Sequence, residues 1–177
     1  MEQEKARKLG KAQYEFKKEF RMKKTSHMII SGMFAVVSIV VAALLMMAFV
    51  FGIYHVSGNG MESTAKEGSY AIGNKLAYQV RDPARGDIIV SGGNIYRVIG
   101  LPGEHLEIYG GHVYVNGNIL SESYVSGYTY PLNENEVFTI PDDSYFVLCD
   151  NRYCYNDSRS GFAIKRDAIM SKIFMVI

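Results

Sequence analysis

The chain has few side chains that could hold a metal ion, and it has no loop that would cradle a phosphate. Its 177 residues include two Cys and four His, and none of them is spaced as zinc ligands are. These residues are Cys149, Cys154, His27, His55, His105 and His112. The paired glycines at 92–93 and 110–111 have the context of turns. The sequence therefore predicts no metal site and no cofactor.

A strong net charge is also absent, but the charge that is present is unevenly distributed. Nine Lys or Arg and four Glu lie in the first 27 residues, whereas ten basic and fourteen acidic residues lie from Gly52 onward. A basic head on a mildly acidic body favours a role in membrane topology over nucleic-acid binding. We therefore expect membrane lipid, and no nucleic acid, as a partner of the head. A solvated, partly helical tail is the plainer interpretation of the same residues.

Charge is missing altogether from the next stretch, because residues 28–54 contain no Asp, Glu, Lys or Arg. At ~1.5 Å rise per residue, a helix of this length exceeds the ~30 Å hydrocarbon core of a bilayer. Backbone amides in lipid must be satisfied within their own segment, so the stretch is predicted to be a transmembrane helix. The basic residues before it predict a cytoplasmic N-terminus. A cleaved secretory signal is the alternative, but the stretch is long for one and no clear small-x-small site precedes the next domain.

Residues 55–177 are predicted to form a mainly β domain with antiparallel strands, built as one unit. This prediction rests on a series of β-branched and aromatic runs, several of which alternate with polar residues. These predicted strands lie at 87–90, 95–99, 113–115, 137–140 and 145–148. Asn116-Gly117 supplies the two positive φ angles of a type I′ turn, which predicts a hairpin over residues 112–120. Residues 132–136 are predicted to be a short polar loop.

The sequence thus predicts three parts in order. Residues 1–27 are the basic cytoplasmic tail, residues 28–54 the transmembrane helix, and residues 55–177 an extracytoplasmic β domain at the cell membrane.

Four stretches of the β domain, taken in order, resemble the motifs of one enzyme family. Residues 58–64 read GNGMEST, where that family has Gly-x-Ser-Met-x-Pro-Thr just after a membrane span. Residues 85–90 read RGDIIV and residues 96–104 read YRVIGLPGE, for Arg-Gly-Asp-Ile-Val and Lys-Arg-Val-Ile-Gly-Leu-Pro-Gly-Asp. Residues 149–152 read CDNR and residues 157–159 read DSR, for Gly-Asp-Asn-Arg and Asp-Ser-Arg. Together they resemble the type I signal peptidases, whose fold is an antiparallel β domain anchored by one N-terminal transmembrane helix.

The resemblance implies a serine nucleophile and a lysine general base, and both are replaced here. Gly60 stands at the nucleophile position and Tyr96 at the base position. A phenol, with a pKa of ~10, is protonated at neutral pH and is not an equivalent base. Tyr155 stands where many members have a serine that hydrogen-bonds the lysine, Ser63 replaces the motif proline, and Cys149 replaces a glycine. No catalytic residue of the family is therefore intact.

The rest of the fourth motif matches the family. We expect its polar members to form a cluster of ion pairs and hydrogen bonds with a structural role. They are Asp150, Arg152, Asp157, Ser158 and Arg159.

The family's substrate groove is the other part that the resemblance implies. The residues expected to line it are Gly58, Asn59, Gly60, Met61, Tyr96 and Tyr155. Met61 is equally well interpreted as an ordinary core residue. We also expect exposed apolar residues around Met61 and Ile72 to contact lipid or a second copy of the chain, as in a homodimer.

The departures from the family pattern fall on the reaction centre, while the framework motifs remain. This pattern resembles that of SipA, the signal-peptidase-like proteins associated with pilus assembly in Gram-positive bacteria. The resemblance implies a non-catalytic chaperone or assembly factor that holds exported precursors such as pilins, which a sortase then handles. Strand addition is the expected mode of binding.

An active signal peptidase with atypical catalytic residues is the alternative. Its candidate nucleophiles are Ser57 and Ser63, and its candidate bases are Lys66 and Lys75. Reacting atoms must lie within ~3–3.5 Å of each other, which residues a few positions from the vacant site do not readily achieve.

The two cysteines have two interpretations. Outside the membrane, a disulfide between Cys149 and Cys154 is chemically allowed and would brace the loop beside the former active site. The other interpretation is a pair of free thiols.

Overall fold

The structure is a computed structural model, and it describes residues 1–132 and 137–177. All but the first residue of the predicted polar loop at 132–136 lies outside the described residues. The chain divides into two compact units, Met1–Met47 and Ala48–Ile177.

A single long helix, α1, extends over Glu2–Val50. Its large apolar side chains from Met28 to Phe49 are exposed on every side of the helix. A helix that is apolar all round belongs in a protein core or in a bilayer. Its part from Gln13 to Val50 is long and apolar enough to cross a membrane.

The helix ends earlier than the sequence predicts, at Val50 instead of residue 54. Strand β1, Phe51–His55, takes over at once and pairs with β2, Tyr70–Asn74, from Phe51 opposite Asn74 to His55 opposite Tyr70. Lys75 fixes this junction, because its backbone N–H donates to Val50 O at 2.9 Å and its Nζ to Ala48 O at 3.0 Å. The last residues of the uncharged stretch therefore satisfy their backbone groups in a sheet.

The remaining described strands make the domain mainly β, as predicted. They are β3 Ile88–Ser91, β4 Asn94–Gly100, β5 His105–Tyr109, β6 His112–Val115, β7 Asn118–Ile119, β8 Val137–Thr139, β9 Ser144–Leu148, β10 Ile164–Lys165 and β11 Ile169–Val176. Two short 3-10 turns, Ser158–Ser160 and Arg166–Ala168, lie among the last strands.

These strands form two sheets. The larger has the order β1-β2-β11-β3-β4-β9-β10, and the smaller has the order β7-β6-β5-β8. Every pairing between these strands is antiparallel. The predicted hairpin connects β6 and β7, and Asn116 and Gly117 have φ angles of 49° and 77°. These positive values agree with a type I′ turn.

The centre of the larger sheet positions the candidate site. Strand β4 pairs with β3 on one side and β9 on the other, with Arg97 opposite Leu148. Extending this register by one residue places Tyr96 beside Cys149, where β9 ends. Both side chains belong to one buried cluster with Val98 and Val147. The family's base position and its fourth motif thus meet at one point of the sheet.

Candidate functional site

A pocket of about 170 Å³ lies where the first, third and fourth motifs meet. It is bordered by the end of β1 and the segment after it, by the β3–β4 turn and the start of β4, and by the loop after β9. Its residues are His55, Val56, Ser57, Gly58, Asn59, Gly60, Met61, Gly93, Asn94, Ile95, Tyr96, Cys149, Cys154 and Asn156. Five of the six residues predicted to line a groove are among them.

Hydrogen bonds to the fourth motif hold the first motif in place. The Asn151 backbone N–H donates to Gly60 O at 2.9 Å, and its side-chain Nδ2 donates to Asn59 O at 3.2 Å. The segment then turns sharply, with Thr64 N and Ala65 N both donating to Met61 O. Because both carbonyls of the Asn59-Gly60 pair are bound to one residue, the backbone at position 60 is fixed relative to the loop after β9.

Gly60 lies against two sulfur atoms. A Cβ built at this position would be 3.0 Å from Cys149 Sγ and 3.3 Å from Cys154 Sγ. Gly60 is not among the glycines with positive φ, so its backbone suits any L residue. The limit on side chains at position 60 is therefore the space that the thiols occupy.

The two thiols are unbonded, and their sulfur atoms are 2.9 Å apart. The structure thus contains the pair as thiols, while keeping them close together. Burial, followed by the Cys154 thiol, raises the pKa of Cys149 above its ordinary value. The Cys149 thiol is therefore protonated at neutral pH and a poor nucleophile by itself.

Tyr96 is 5% exposed and offers no base to the pocket. Burial is the largest influence that raises the pKa of its phenol, and the neighbouring thiols of Cys149 and Cys154 act in the same direction. A group that holds its proton well above neutral pH does not remove one from a nucleophile.

The polar residues of the fourth motif are all buried, but their pairing differs from the expected single cluster. Asp157 and Arg159 form an ion pair, with Nη2 to Oδ2 at 2.8 Å, and Arg159 Nη1 also donates to Arg152 O at 2.9 Å. Asp157 Oδ2 also accepts from the Cys149 backbone N–H at 3.1 Å. Ser158 Oγ accepts from the Val147 backbone N–H at 3.0 Å, which fastens the same loop to β9.

The other two members reach outside their own motif. Asp150 accepts from Arg97, Nε to Oδ1 at 2.7 Å and Nη2 to Oδ2 at 2.6 Å, and it also accepts from Thr64 Oγ1. Arg152 donates to both carboxylate oxygens of Glu122, at 2.5 and 3.1 Å. The sequence interpretation missed Arg97 and Glu122 as partners. Arg97 lies in the third motif, and this was the only feature of the sequence that could have indicated its role in the site.

One predicted groove residue, Tyr155, is placed differently from the expectation. Tyr155 does not line the pocket, because its ring packs under the Arg159 guanidinium, with Cζ 4.5 Å from the ring centroid. Met61 borders the pocket and is also buried among Val56, Ala65 and Ala71, so its position fits both interpretations, as a groove residue and as a core residue. Ile72 is half-buried, and the residues paired with it, Ile53 and Met175, are exposed apolar side chains, so their contact with lipid or a second copy stays a prediction.

The alternative catalytic groups are mostly directed elsewhere. Ser63 Oγ donates to Tyr124 O at 2.7 Å, and Lys75 Nζ is held at the helix end. Lys66 is exposed and does not border the pocket. Ser57 is the exception, since it borders the pocket and its Oγ is 3.2 Å from His55 Nδ1.

The pocket thus offers backbone polar groups, two thiols and a serine–histidine contact at its edge, but neither a serine hydroxyl at position 60 nor a lysine at position 96. The Gly60 N–H makes no hydrogen bond within residues 1–132 and 137–177, which leaves it available to a carbonyl oxygen. In the same described residues, no three His, Cys, Asp or Glu side chains are grouped as a metal site requires.

Comparisons with known proteins agree with the motifs. The family described as signal peptidase, peptidase S26, matches residues 29–177. A signal peptidase I of Bacillus amyloliquefaciens is 34% identical over 143 residues, which cover 73% of this chain and 77% of that protein. A probable signal peptidase I-2 of Synechocystis sp. is 32% identical over 151 residues, covering 78% of this chain and 68% of that protein. A crystal structure of a signal peptidase I from Enterococcus faecalis V583 is 33% identical, covers 54% of this chain and 99% of that chain, and has a TM-score of 0.43.

Proposed function

This chain belongs to the signal peptidase family, peptidase S26, and we propose that its β domain binds an extended segment of an exported precursor. We propose further that it does not cut this segment. The relatives' names by themselves favour peptidase activity. The observation that carries the non-catalytic proposal is the composition of the pocket centre.

At that centre, the nucleophile position has no side chain and two thiols occupy the space beside it. The base position holds a buried phenol whose pKa is raised. A serine–lysine mechanism needs a hydroxyl and a base of near-neutral pKa in contact. Neither group stands at positions 60 and 96, whereas the backbone that would hold a substrate is kept in place by Asn151.

Strand addition is the binding mode that this geometry favours. Strand β1 is at the edge of the larger sheet, and the chain runs from it directly into the pocket wall at residues 55–61. An edge strand has unpaired N–H and C=O groups that an extended peptide can bind. The free Gly60 N–H adds a donor at the point where such a peptide would cross the pocket.

The precursor and its location are the finer parts of the proposal. Helix α1 is apolar enough to anchor the chain in a membrane, and the basic residues before position 28 favour a cytoplasmic N-terminus. The β domain would then meet precursors on the outer face. The resemblance to SipA suggests pilin precursors that a sortase later joins, so the chain would act as a chaperone or assembly factor.

The test is a binding and cleavage assay with the full chain purified in detergent. The probe is a fluorescent preprotein peptide with Ala at both specificity positions. Ser57→Trp places a large ring at the exposed edge of the pocket, and Ser123→Trp makes the same change at an exposed residue away from it. We expect the parent and Ser123→Trp to bind the peptide intact, and Ser57→Trp to bind at least ~10-fold more weakly, a loss of ~1.4 kcal/mol. Equal binding by all three proteins, or no binding, would contradict the proposal.

An active peptidase with displaced catalytic groups is the second candidate, and the contact between His55 Nδ1 and Ser57 Oγ at 3.2 Å favours it. A serine hydroxyl within hydrogen-bond reach of an imidazole is the arrangement of an activated nucleophile. Cleavage of the peptide at one defined site by the parent would support this candidate. In that case Ser57→Ala should abolish cleavage, while Ser63→Ala should not, since Ser63 is bound to Tyr124 O.

A further inference from the structure

Two thiols occupy the part of the pocket where the family's nucleophile would extend. Cys149 and Cys154 both border the pocket, and their sulfur atoms are 2.9 Å apart. Both sulfurs also lie beside Gly60, which contributes no atom that would separate them. The thiols are therefore in contact with each other at a surface that a small molecule can enter.

The fold holds the two cysteines together without a covalent bond. The Cys149 backbone N–H donates to Asp157 Oδ2 at 3.1 Å, and the Cys154 N–H donates to Asn151 O at 3.0 Å. The Cys154 carbonyl accepts from the buried Arg159 guanidinium. Because these bonds fix the backbone at both positions, the thiols stay close in the reduced protein.

The two thiols differ in access to solvent. Cys149 is 3% exposed, whereas Cys154 is half-buried at the pocket edge. Burial raises the pKa of Cys149, which suppresses its direct reaction with a soluble reagent. Cys154 is thus placed to react first and Cys149 to react second, from inside.

We propose that Cys149 and Cys154 form a thiol–disulfide exchange site whose substrate is a low-molecular-weight disulfide of the form RSSR. The Cys154 thiolate attacks one sulfur of the substrate, the S–S bond breaks, and RS⁻ leaves and takes up a proton. Cys149 then gives up its proton and attacks the Cys154 sulfur, which releases the second RSH. The substrate is reduced to two RSH, and the cysteines are oxidised to one disulfide within the chain.

This inference does not depend on the proposed peptide binding, because thiols are counted without a client protein. Gly60 has a defined part in it. A side chain at position 60 would crowd both sulfur atoms, so the absence of a side chain at Gly60 leaves room for the two thiols to contact each other.

The test uses the reduced full chain in detergent with bis(2-hydroxyethyl) disulfide as the probe, followed by thiol titration and intact mass. We expect the parent to lose both thiols and two hydrogen atoms, to carry no adduct and to remain a single chain. Cys149→Ser should accumulate one adduct on Cys154, and Cys154→Ser should react at least tenfold more slowly than Cys149→Ser. Two persistent thiols, a stable adduct on each cysteine, or disulfide-linked dimers in the parent would overturn the proposal.

Two further measurements test whether the folded geometry organises the pair. The parent unfolded in urea should close its disulfide more slowly and accumulate an adduct. Gly60→Ser should also accumulate the adduct on Cys154, while Gly10→Ser, the same change at a residue where an added Cβ would meet no atom within 4 Å, should behave as the parent does. If the disulfide closes at the same rate in the folded parent, the unfolded parent and both variants, the pocket contributes nothing to the reaction.

Discussion

The space beside Gly60 Cα is filled by Cys149, whose Sγ would lie 3.0 Å from a Cβ at position 60. In the type I signal peptidase motifs, a serine stands at the position of Gly60 and a glycine at the position of Cys149. This chain has the small residue at position 60 and the side chain at position 149. The two substitutions are therefore spatially complementary.

Gly60→Ser should destabilise the parent by about 1–3 kcal/mol, because it overpacks a filled space. The cost should be smaller in a Cys149→Ala background, where the nearest sulfur is gone. Urea unfolding of the parent, the two single variants and the double variant in detergent, followed by circular dichroism, gives the coupling free energy between the two positions. For residues in contact this free energy is about 0.5–3 kcal/mol. An equal cost of the serine in both backgrounds would show that the two positions do not compete for space.

Serine–lysine peptidase chemistry at this pocket should require three changes. Gly60→Ser and Tyr96→Lys return the nucleophile and the base, and burial at position 96 should lower the pKa of the new lysine. Cys149→Gly then frees the space for the serine hydroxyl. We expect the triple variant to cleave a preprotein at least tenfold faster than the double variant, with a rate that rises with pH through the lysine's lowered pKa. Equal rates would show that Cys149 does not obstruct the site.

Asp150→Asn should be among the most destabilising polar substitutions in the domain. It leaves the Arg97 guanidinium, whose side chain is 9% exposed, without a charged partner. Breaking a buried ion pair in this way costs about 3–5 kcal/mol. Asp82→Asn removes the partner of Arg166 in an exposed pair and is the matched control. Urea midpoints should fall strongly for the first variant and hardly at all for the second; similar shifts would refute the assigned role.

Acid should weaken the domain partly through Asp87. Burial acts to raise the pKa of this carboxyl, but hydrogen bonds from Lys172, the Ala84 backbone N–H and Tyr78 outweigh it, and the pKa is lowered. A lowered pKa in the folded state gives stability that is present above the unfolded value of ~3.9 and is lost as pH falls through the folded value. Asp87→Asn should therefore be less stable than the parent at pH 7, and the difference should shrink below pH ~4.

Unfolding measurements between pH 7 and pH 2 check this expectation. The exposed residue Asp142 supplies the control, since Asp142→Asn should follow the parent at every pH. A stability difference between Asp87→Asn and the parent that stays constant over this range would contradict the assignment.

Local sequence signals predicted those parts of the fold that depend on local physics. Runs such as 145–148 and the Asn116-Gly117 turn became β9 and the β6–β7 hairpin, because the strand preference of aromatic and β-branched residues and positive φ angles act within a few residues. The absence of charge did not reveal where α1 ends. A strand in a sheet is as compatible with an uncharged stretch as a helix in lipid, and the pairing with β2 decides between them.

The candidate site was predictable in its location but not in its pairings. The motifs brought Gly60, Tyr96 and Cys149 to one pocket. They did not reveal that Asp150 pairs with Arg97, which is 53 residues away, because the partner of a buried charge depends on register between distant strands. The contact between the thiols and Gly60 likewise depends on tertiary packing, and the spacing of these residues along the chain does not predict it.

The buried ion pairs of the fourth motif have a consequence for how such a domain can change. Asp150, Arg152 and Arg159 fasten the loop after β9 through Arg97, Glu122 and Asp157, whereas Gly60 and Tyr96 take no part in those pairs. The backbone around the pocket is thus stabilised separately from the side chains that determine its chemistry. One scaffold can therefore be converted from hydrolysis to another use, by selection or by an engineer grafting new residues, without first being rebuilt.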